Sequence, residues 1–283
     1  MKIIQGTTDI RFDFPTAVTL GKFDGLHIGH QKLIRELKAV AGTDQKIVVF
    51  TFDTPPALLL HKIAPVLTTR EEKRKLMAAM GVDYLIEYPF TDETRKMAAE
   101  GFVRELLAER LCMKTIAVGP DCRFGHERSG DVRLLQKISE ELGFSLHVVE
   151  KERTAKDGQI VSSSRVKDAL KKGDIEEANH LLGYLYSVHG QAVNEQGTEI
   201  MMKVKKENGV WTMEQSEGER KYVLPPGRYF SKIRFGDYEI RGVTNITENV
   251  TESGELLTTL NEPVFEKNRG FKAEIGLIAQ YCG

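Results

Sequence analysis

The strongest constraint on this chain is an alternation of short apolar runs with amphipathic stretches through its first two-thirds. Ala17-Val18-Thr19-Leu20, Ile47-Val48-Val49-Phe50-Thr51-Phe52, Tyr84-Leu85-Ile86, Thr115-Ile116-Ala117-Val118-Gly119 and Leu146-His147-Val148-Val149 have strand length and bulk. Between them, His30 to Ala41, Glu71 to Met80, Lys96 to Arg110 and Asp131 to Leu142 repeat apolar residues at helical spacing. Strands that are apolar on both sides must be covered on both sides, and intervening helices supply that cover. The expectation is an α/β domain with a parallel sheet and helices on both faces. In such sheets ligands bind beyond the carboxyl ends of the strands, where the strand order switches.

After about Gly183 the texture changes to short β-like runs: Tyr186 to Val193, Glu199 to Lys205, Val210 to Met213, Arg228 to Phe235, Tyr238 to Val243 and Glu274 to Ala279. Asn208-Gly209, Glu217-Gly218, Pro225-Pro226-Gly227 and Gly236-Asp237 punctuate them as turns. This half reads as a small all-β barrel or sandwich. Two amphipathic segments, Arg165 to Lys172 and Ile175 to Leu182, bridge the halves, and the expected domains are residues 1–183 and 184–283.

Forty basic and forty-one acidic residues leave a formal charge of −1, so no broad field draws the chain to nucleic acid or an anionic membrane. Phosphate binding must then be local. Met1 to Gln5 lacks the apolar run of a signal peptide, and no stretch approaches the roughly 20 apolar residues of a membrane span. Cys112, Cys122 and Cys282 are widely spaced, without a CxxC pair, and read as reduced thiols. A soluble cytoplasmic protein is expected.

Chemistry concentrates in Leu20-Gly21-Lys22-Phe23-Asp24-Gly25-Leu26-His27-Ile28-Gly29-His30-Gln31, between the first of these strands and the first long helix. Glycines let the backbone turn tightly and approach a ligand closely. Amides at a helix start, and the helix dipole, favour an anion. His27 and His30 are three apart and share a face on a first helical turn, where imidazoles suit a phosphoryl group developing charge. The same spacing suits a metal pair, but no third ligand is evident nearby; surface histidines beside a capping glycine loop are the other alternative.

Two further segments carry polar groups. Ser162, Ser163 and Ser164 precede an amphipathic run as a helix cap, with Arg165 and Lys167 able to neutralise phosphate or simply to face solvent. The segment Gly119 to Gly125 follows a strand and brings Asp121, Arg123 and Phe124; Phe124 would cover a flat ring or fill a core in a tight turn.

The HxGH pattern resembles the signature of the nucleotidyltransferase superfamily. Gly-x-Phe-Asp-Gly-x-His-x-Gly-His-Gln, here Gly21 to Gln31, resembles the prokaryotic FAD synthetase family, whose members commonly join an FMN adenylyltransferase module to a riboflavin kinase barrel. Leu67 to Lys73 and Gly81 to Asp83, Val118 to Asp131, Val161 to Lys167, Gly173-Asp174 and Leu181 to Gly183 are similar to later family segments, in order, over residues 15–190. The resemblance implies a Rossmann-like nucleotidyltransferase domain followed by a β-barrel. It also implies transfer of AMP from ATP to FMN, giving FAD and pyrophosphate, with Mg²⁺ accompanying ATP. His27 and His30 become catalytic. Gly21, Lys22, Phe23, Asp24, Gly25, Gly29 and Ser162 to Arg165 with Lys167 become nucleotide-binding, and Asp121, Arg123, Phe124 and Gly125 flavin-binding. ATP and FMN are the expected partners, and no protein metal ligands are assigned.

There are departures from that pattern. Lys22 stands where the family usually has Asn, Asp53-Thr54-Pro55-Pro56 replaces Glu-Pro-His-Pro, and Lys167 replaces Arg. The kinase motif Gly-x-Pro-Thr-Ala-Asn has no counterpart in Gly190 to Lys206 or elsewhere, although Leu224 to Tyr229 and Gly242 to Ile246 resemble barrel segments and Glu255 falls near the family's catalytic glutamate. A barrel without kinase activity is expected. Rival expectations are an adenylyltransferase for another acceptor, such as phosphopantetheine, and a silent flavin- or nucleotide-binding regulator.

Overall fold

The computed structural model describes residues 1–53, 65–192, 199–207, 210–214, 219–235, 238–246, 255–260 and 272–280. The expected turns at 208–209, 217–218 and 236–237, the substitutions at 54–56, the segment 193–198 and Cys282 lie outside them. Two compact units are present: Met1–Ala64 with Arg70–Ile160, and Pro65–Thr69 with Val161–Gly283.

The first unit contains β1 (Lys2–Gln5), β2 (Thr16–Leu20), α1 (Ile28–Val40), β3 (Lys46–Phe52), α2 (Arg70–Ala79) and β4 (Tyr84–Tyr88), then a π-helix (Phe102–Arg110), β5 (Met113–Val118), α3 (Val132–Leu142) and β6 (Ser145–Val148). The strands form one parallel sheet in the order β1-β4-β3-β2-β5-β6. Successive strand residues feed opposite cores, as the pleat requires. Val18, Val48, Ile86 and Ile116 pack with Val103, Leu106, Leu135 and Ile138 from the π-helix and α3. Ala17, Val49, Leu85 and Ala117 pack with Ile34, Leu37 and Met77 from α1 and α2. The sheet is therefore covered on both faces, as its apolar strands demanded. β1 has no such pattern: it is largely exposed at the sheet edge, pairs with β4, and sets Ile4 against the core.

The strand order reverses at β2, with β3 and β4 on one side and β5 and β6 on the other. Thr19 pairs with Ala117, so the loops leaving Leu20 and Val118 emerge side by side. These are the glycine–histidine loop and the 119–130 loop. Both lie where a parallel sheet opens a crevice.

The second unit begins with α4 (Ser163–Lys172) and α5 (Ile175–Leu182). It continues with β7 (Ser187–Ala192), β8 (Glu199–Glu207), β9 (Val210–Glu214), β10 (Arg220–Tyr222), β11 (Gly227–Phe235), β12 (Tyr238–Ile246), β13 (Glu255–Leu260) and β14 (Lys272–Gln280). Pairing runs β8-β13-β12-β11-β14-β7 and returns from β7 to β8, closing a barrel; β9 and β10 extend the sheet from β8. Closure removes the exposed edges an open sheet would present. Asn179 of α5 donates to the Leu277 carbonyl of β14 at 2.8 Å and accepts from the Tyr186 amide at 2.7 Å. The Pro65–Thr69 segment joins this unit through Val66, whose N–H donates to Arg220 O at 2.7 Å while its carbonyl accepts from Tyr222 N–H at 3.2 Å. Compactness divides the chain between Ile160 and Val161 and groups both bridging helices with the barrel, whereas the expected domains 1–183 and 184–283 follow the change in sequence texture.

Candidate active site

The loop from β2 to α1 holds an unusual backbone. Phe23, Gly25 and Leu26 have φ of 50°, 82° and 36°, in the left-handed region that costs a residue with a Cβ roughly 1–3 kcal/mol. Phe23 and Leu26 offset that cost by burying their side chains completely in the α1-side core. The Gln31 amide donates to the Leu26 carbonyl at 2.9 Å, tying the loop to the helix it precedes.

His27 is the N-cap of α1: its Nδ1 accepts the His30 N–H at 3.4 Å. An accepting Nδ1 leaves the ring proton of a neutral imidazole on Nε2. The rings of His27 and His30 stack with centroids 3.7 Å apart and planes 18° apart. Burial, opposed by the Asp24 carboxylate, lowers the His27 pKa to about 4. Burial, then the neighbouring His27 and Lys73, hold His30 well below its ordinary value. Both rings are neutral at pH 7. Gly29 makes room for the pair, because a Cβ there would lie 3.2 Å from His27 Nδ1. Gly21 and Lys22 are exposed at the loop's entrance.

Beside this loop, Asp121 pairs with Lys151 at 2.7 Å, which lowers its pKa, and Arg123 pairs with Asp131 at 3.1 Å. Asp131 also caps α3 by accepting the Leu134 N–H. Phe124 is only 7% exposed and packs on Phe102 at 5.8 Å, in the core reading weighed for it. Its backbone pairs with Gly130 in both directions, closing the loop. Gly125 is obligatory: φ is 72°, and a Cβ would lie 2.4 Å from Ala99 Cα.

In the second unit Ser162 caps α4 as expected, its Oγ accepting the Arg165 N–H at 3.3 Å. Ser163 and Ser164 begin the helix. Arg165 forms an ion pair with Glu177, and Lys167 Nζ lies 5.7 Å from the Tyr222 ring centroid.

Sequence reasoning missed the charges that organise these segments. Lys73 Nζ donates to the Lys22 carbonyl at 3.1 Å, and Arg70 donates to the Asp53 carbonyl at 2.9 Å. Lys32 pairs with Glu152 at 3.1 Å, next to Gly29. Lys151 and Glu177 are likewise partners far off in sequence from the motifs they hold. Among the described residues no cluster of three or more His, Cys, Asp or Glu could hold a metal ion, and no helix is long and apolar enough to cross a membrane.

The fold is a parallel α/β sheet with stacked histidines at a helix start beside the switch point, and with the family match that follows it is that of a nucleotidyltransferase. The sequence matches the FAD synthetase family over residues 10–165. A bifunctional riboflavin kinase/FMN adenylyltransferase from Listeria monocytogenes is 30% identical over 279 residues, covering 95% of this chain and 85% of that protein. The protein of the same description from Escherichia coli K12 is 33% identical over 200 residues, 69% of this chain and 63% of that one. In fold the chain resembles a crystal structure described as a macrolide-efflux protein from Streptococcus pneumoniae, with a TM-score of 0.79 at 21% identity, covering 99% of this chain and 90% of the other. The chain belongs to the FAD synthetase family.

Proposed function

We propose that the chain transfers AMP from ATP to FMN, releasing pyrophosphate and forming FAD, and that its barrel does not phosphorylate riboflavin. One observation carries the transferase reading: the rings of His27 and His30 are stacked at the start of α1, where helix amides favour an anion. The FMN phosphate is itself the nucleophile, so no covalent enzyme intermediate is needed. His27 donates through Nε2 to the α-phosphoryl group as charge develops on it. Neutral donors stabilise that charge without holding the product pyrophosphate as a fixed cation would. Gly21 to Gly25 admit the adenosine, with Lys22 at the loop's exposed entrance.

The 162–167 segment is assigned the β and γ phosphates; its support is the capped helix start and the order of family motifs along the chain. Mg²⁺ enters with the triphosphate as part of the substrate, bound through the phosphate oxygens. Asp121 and Arg123 are assigned polar contacts to the flavin. Phe124 and Gly125 are assigned the support of that loop, since the Phe124 ring is packed in the core.

The silent kinase rests on sequence: no Pro-Thr-Ala-Asn occurs, and phosphoryl transfer without metal-neutralised charge fails. Purified protein is to be incubated with FMN, ATP and Mg²⁺, and separately with riboflavin, ATP and Mg²⁺. Chromatography should show FAD in the first mixture and neither FMN nor FAD in the second. Pyrophosphate release with other phosphate acceptors but not FMN would redirect the assignment, and tight FMN binding without turnover would make the chain a regulator.

A further inference from the structure

The first turn of α2 carries two cations three residues apart, and both donate to main-chain carbonyls just beyond strand ends. Arg70 reaches Asp53 O after β3, and Lys73 reaches Lys22 O after β2. A cation donating to a loop carbonyl fixes that loop's path more firmly than a neutral donor, and its charge persists for whatever lies near. We propose that Lys73 is a positioning residue of the nucleotide site: it pins the Gly21–Gly25 loop through Lys22 O, and with that loop the Phe23 ring that packs beside His30. The proposal rests on the FMN adenylyltransferase reading for its activity arm only.

The geometry supports two linked effects. The pinned loop includes Phe23, whose ring lies 5.2 Å from that of His30, so a displaced Lys22 backbone disturbs the histidine pair directly. His27 on its own helix turn and Lys73 on α2 both disfavour a proton on His30, and Asp24 acts on His27 from within the loop. Lys73 disfavours an imidazolium at His30, so removing its charge makes His30 easier to protonate. A stacked pair at 3.7 Å tolerates a positive charge poorly, and the acid limb of the reaction should follow His30.

Lys73 is half-buried on the helix surface, so Lys73→Met and Lys73→Gln should fold, which circular dichroism and thermal melting verify. His30 titration is followed by NMR of the free protein, and FAD formation is followed across pH. Both variants should raise the pH at which His30 protonates and move the acid limb of kcat/KM the same way. They should also lower kcat roughly tenfold to a hundredfold with a smaller change in KM for ATP. Lys73→Arg, which keeps the charge, should restore most of both. An unchanged His30 titration in both neutral variants overturns the proposal, as does a loss confined to KM for ATP, which would make Lys73 a direct phosphate ligand. If the wild-type protein makes no FAD, the transferase reading fails while the titration still decides the role of Lys73.

Discussion

The imidazole of His27 accepts the main-chain N–H of His30 through Nδ1, so the side chain that caps α1 keeps its ring proton on Nε2, the proton assigned above to the phosphoryl group. Cap and donor use opposite nitrogens of one ring. Substitution can therefore separate them.

His27→Asn keeps a side-chain acceptor at the cap but removes the ring, whereas His27→Ala removes both. Loss of a cap costs about 1 kcal/mol, and loss of a preorganised phosphoryl donor costs roughly a hundredfold or more in kcat. Both variants should lose kcat alike, while only the alanine variant should lose stability in urea denaturation. His30→Ala should match them in kcat. Near-normal FAD formation by the asparagine variant would show that the cap, and not the ring, is what the reaction needs.

Stability should fall on mild acidification. The His27 pKa lies at about 4 in the folded chain against 6.5 unfolded, so below 6.5 the unfolded state takes up protons first. The contribution is complete above the unfolded value and disappears as pH falls through about 4, with His30 acting in the same direction. Taken alone, the His27 span corresponds to at most about 3 kcal/mol. Denaturation at pH 7, 6 and 5 should show the decline, and His27→Asn should flatten it. An equal slope in the variant would mean other groups carry the effect.

The sheet was legible because its strands are apolar runs that only a doubly covered sheet can bury, and the histidine loop because glycines and imidazoles at a strand–helix junction have few other uses. β1 was not legible, since Lys2–Gln5 lies at a largely exposed edge and turns just Ile4 toward the core, too little to make an apolar run. β10 is three residues long, too short for periodicity. The grouping of Pro65–Thr69 with the barrel depends on Val66 meeting Arg220 and Tyr222, a pairing that no local signal announces. The same holds within the site: the Lys73 contact to Lys22 joins groups 51 residues apart, so the motif was visible and its support was not.

Gly125→Ala tests the loop beside the histidines. The added Cβ would meet the backbone of Ala99 at 2.4 Å while the residue keeps a φ of 72°. Neither backbone can yield as a flexible side chain does, so the cost should be about 2–4 kcal/mol in urea denaturation. KM for FMN should rise in whatever fraction remains folded. A loss under about 0.5 kcal/mol would show that the loop relaxes freely and is not a rigid platform.

Lys167→Arg introduces the arginine of the pattern that Val161 to Lys167 resembles. Lysine binds phosphate as a point charge, whereas a guanidinium binds two oxygens at once and stacks on an aromatic face. Tyr222 already lies under the Lys167 ammonium at 5.7 Å, so a planar cation has a surface to rest on. With the β and γ phosphates assigned to this helix start, KM for ATP should fall roughly threefold to tenfold while kcat changes little. Steady-state FAD formation at varied ATP measures both, and an unaltered KM would place the triphosphate away from this side chain.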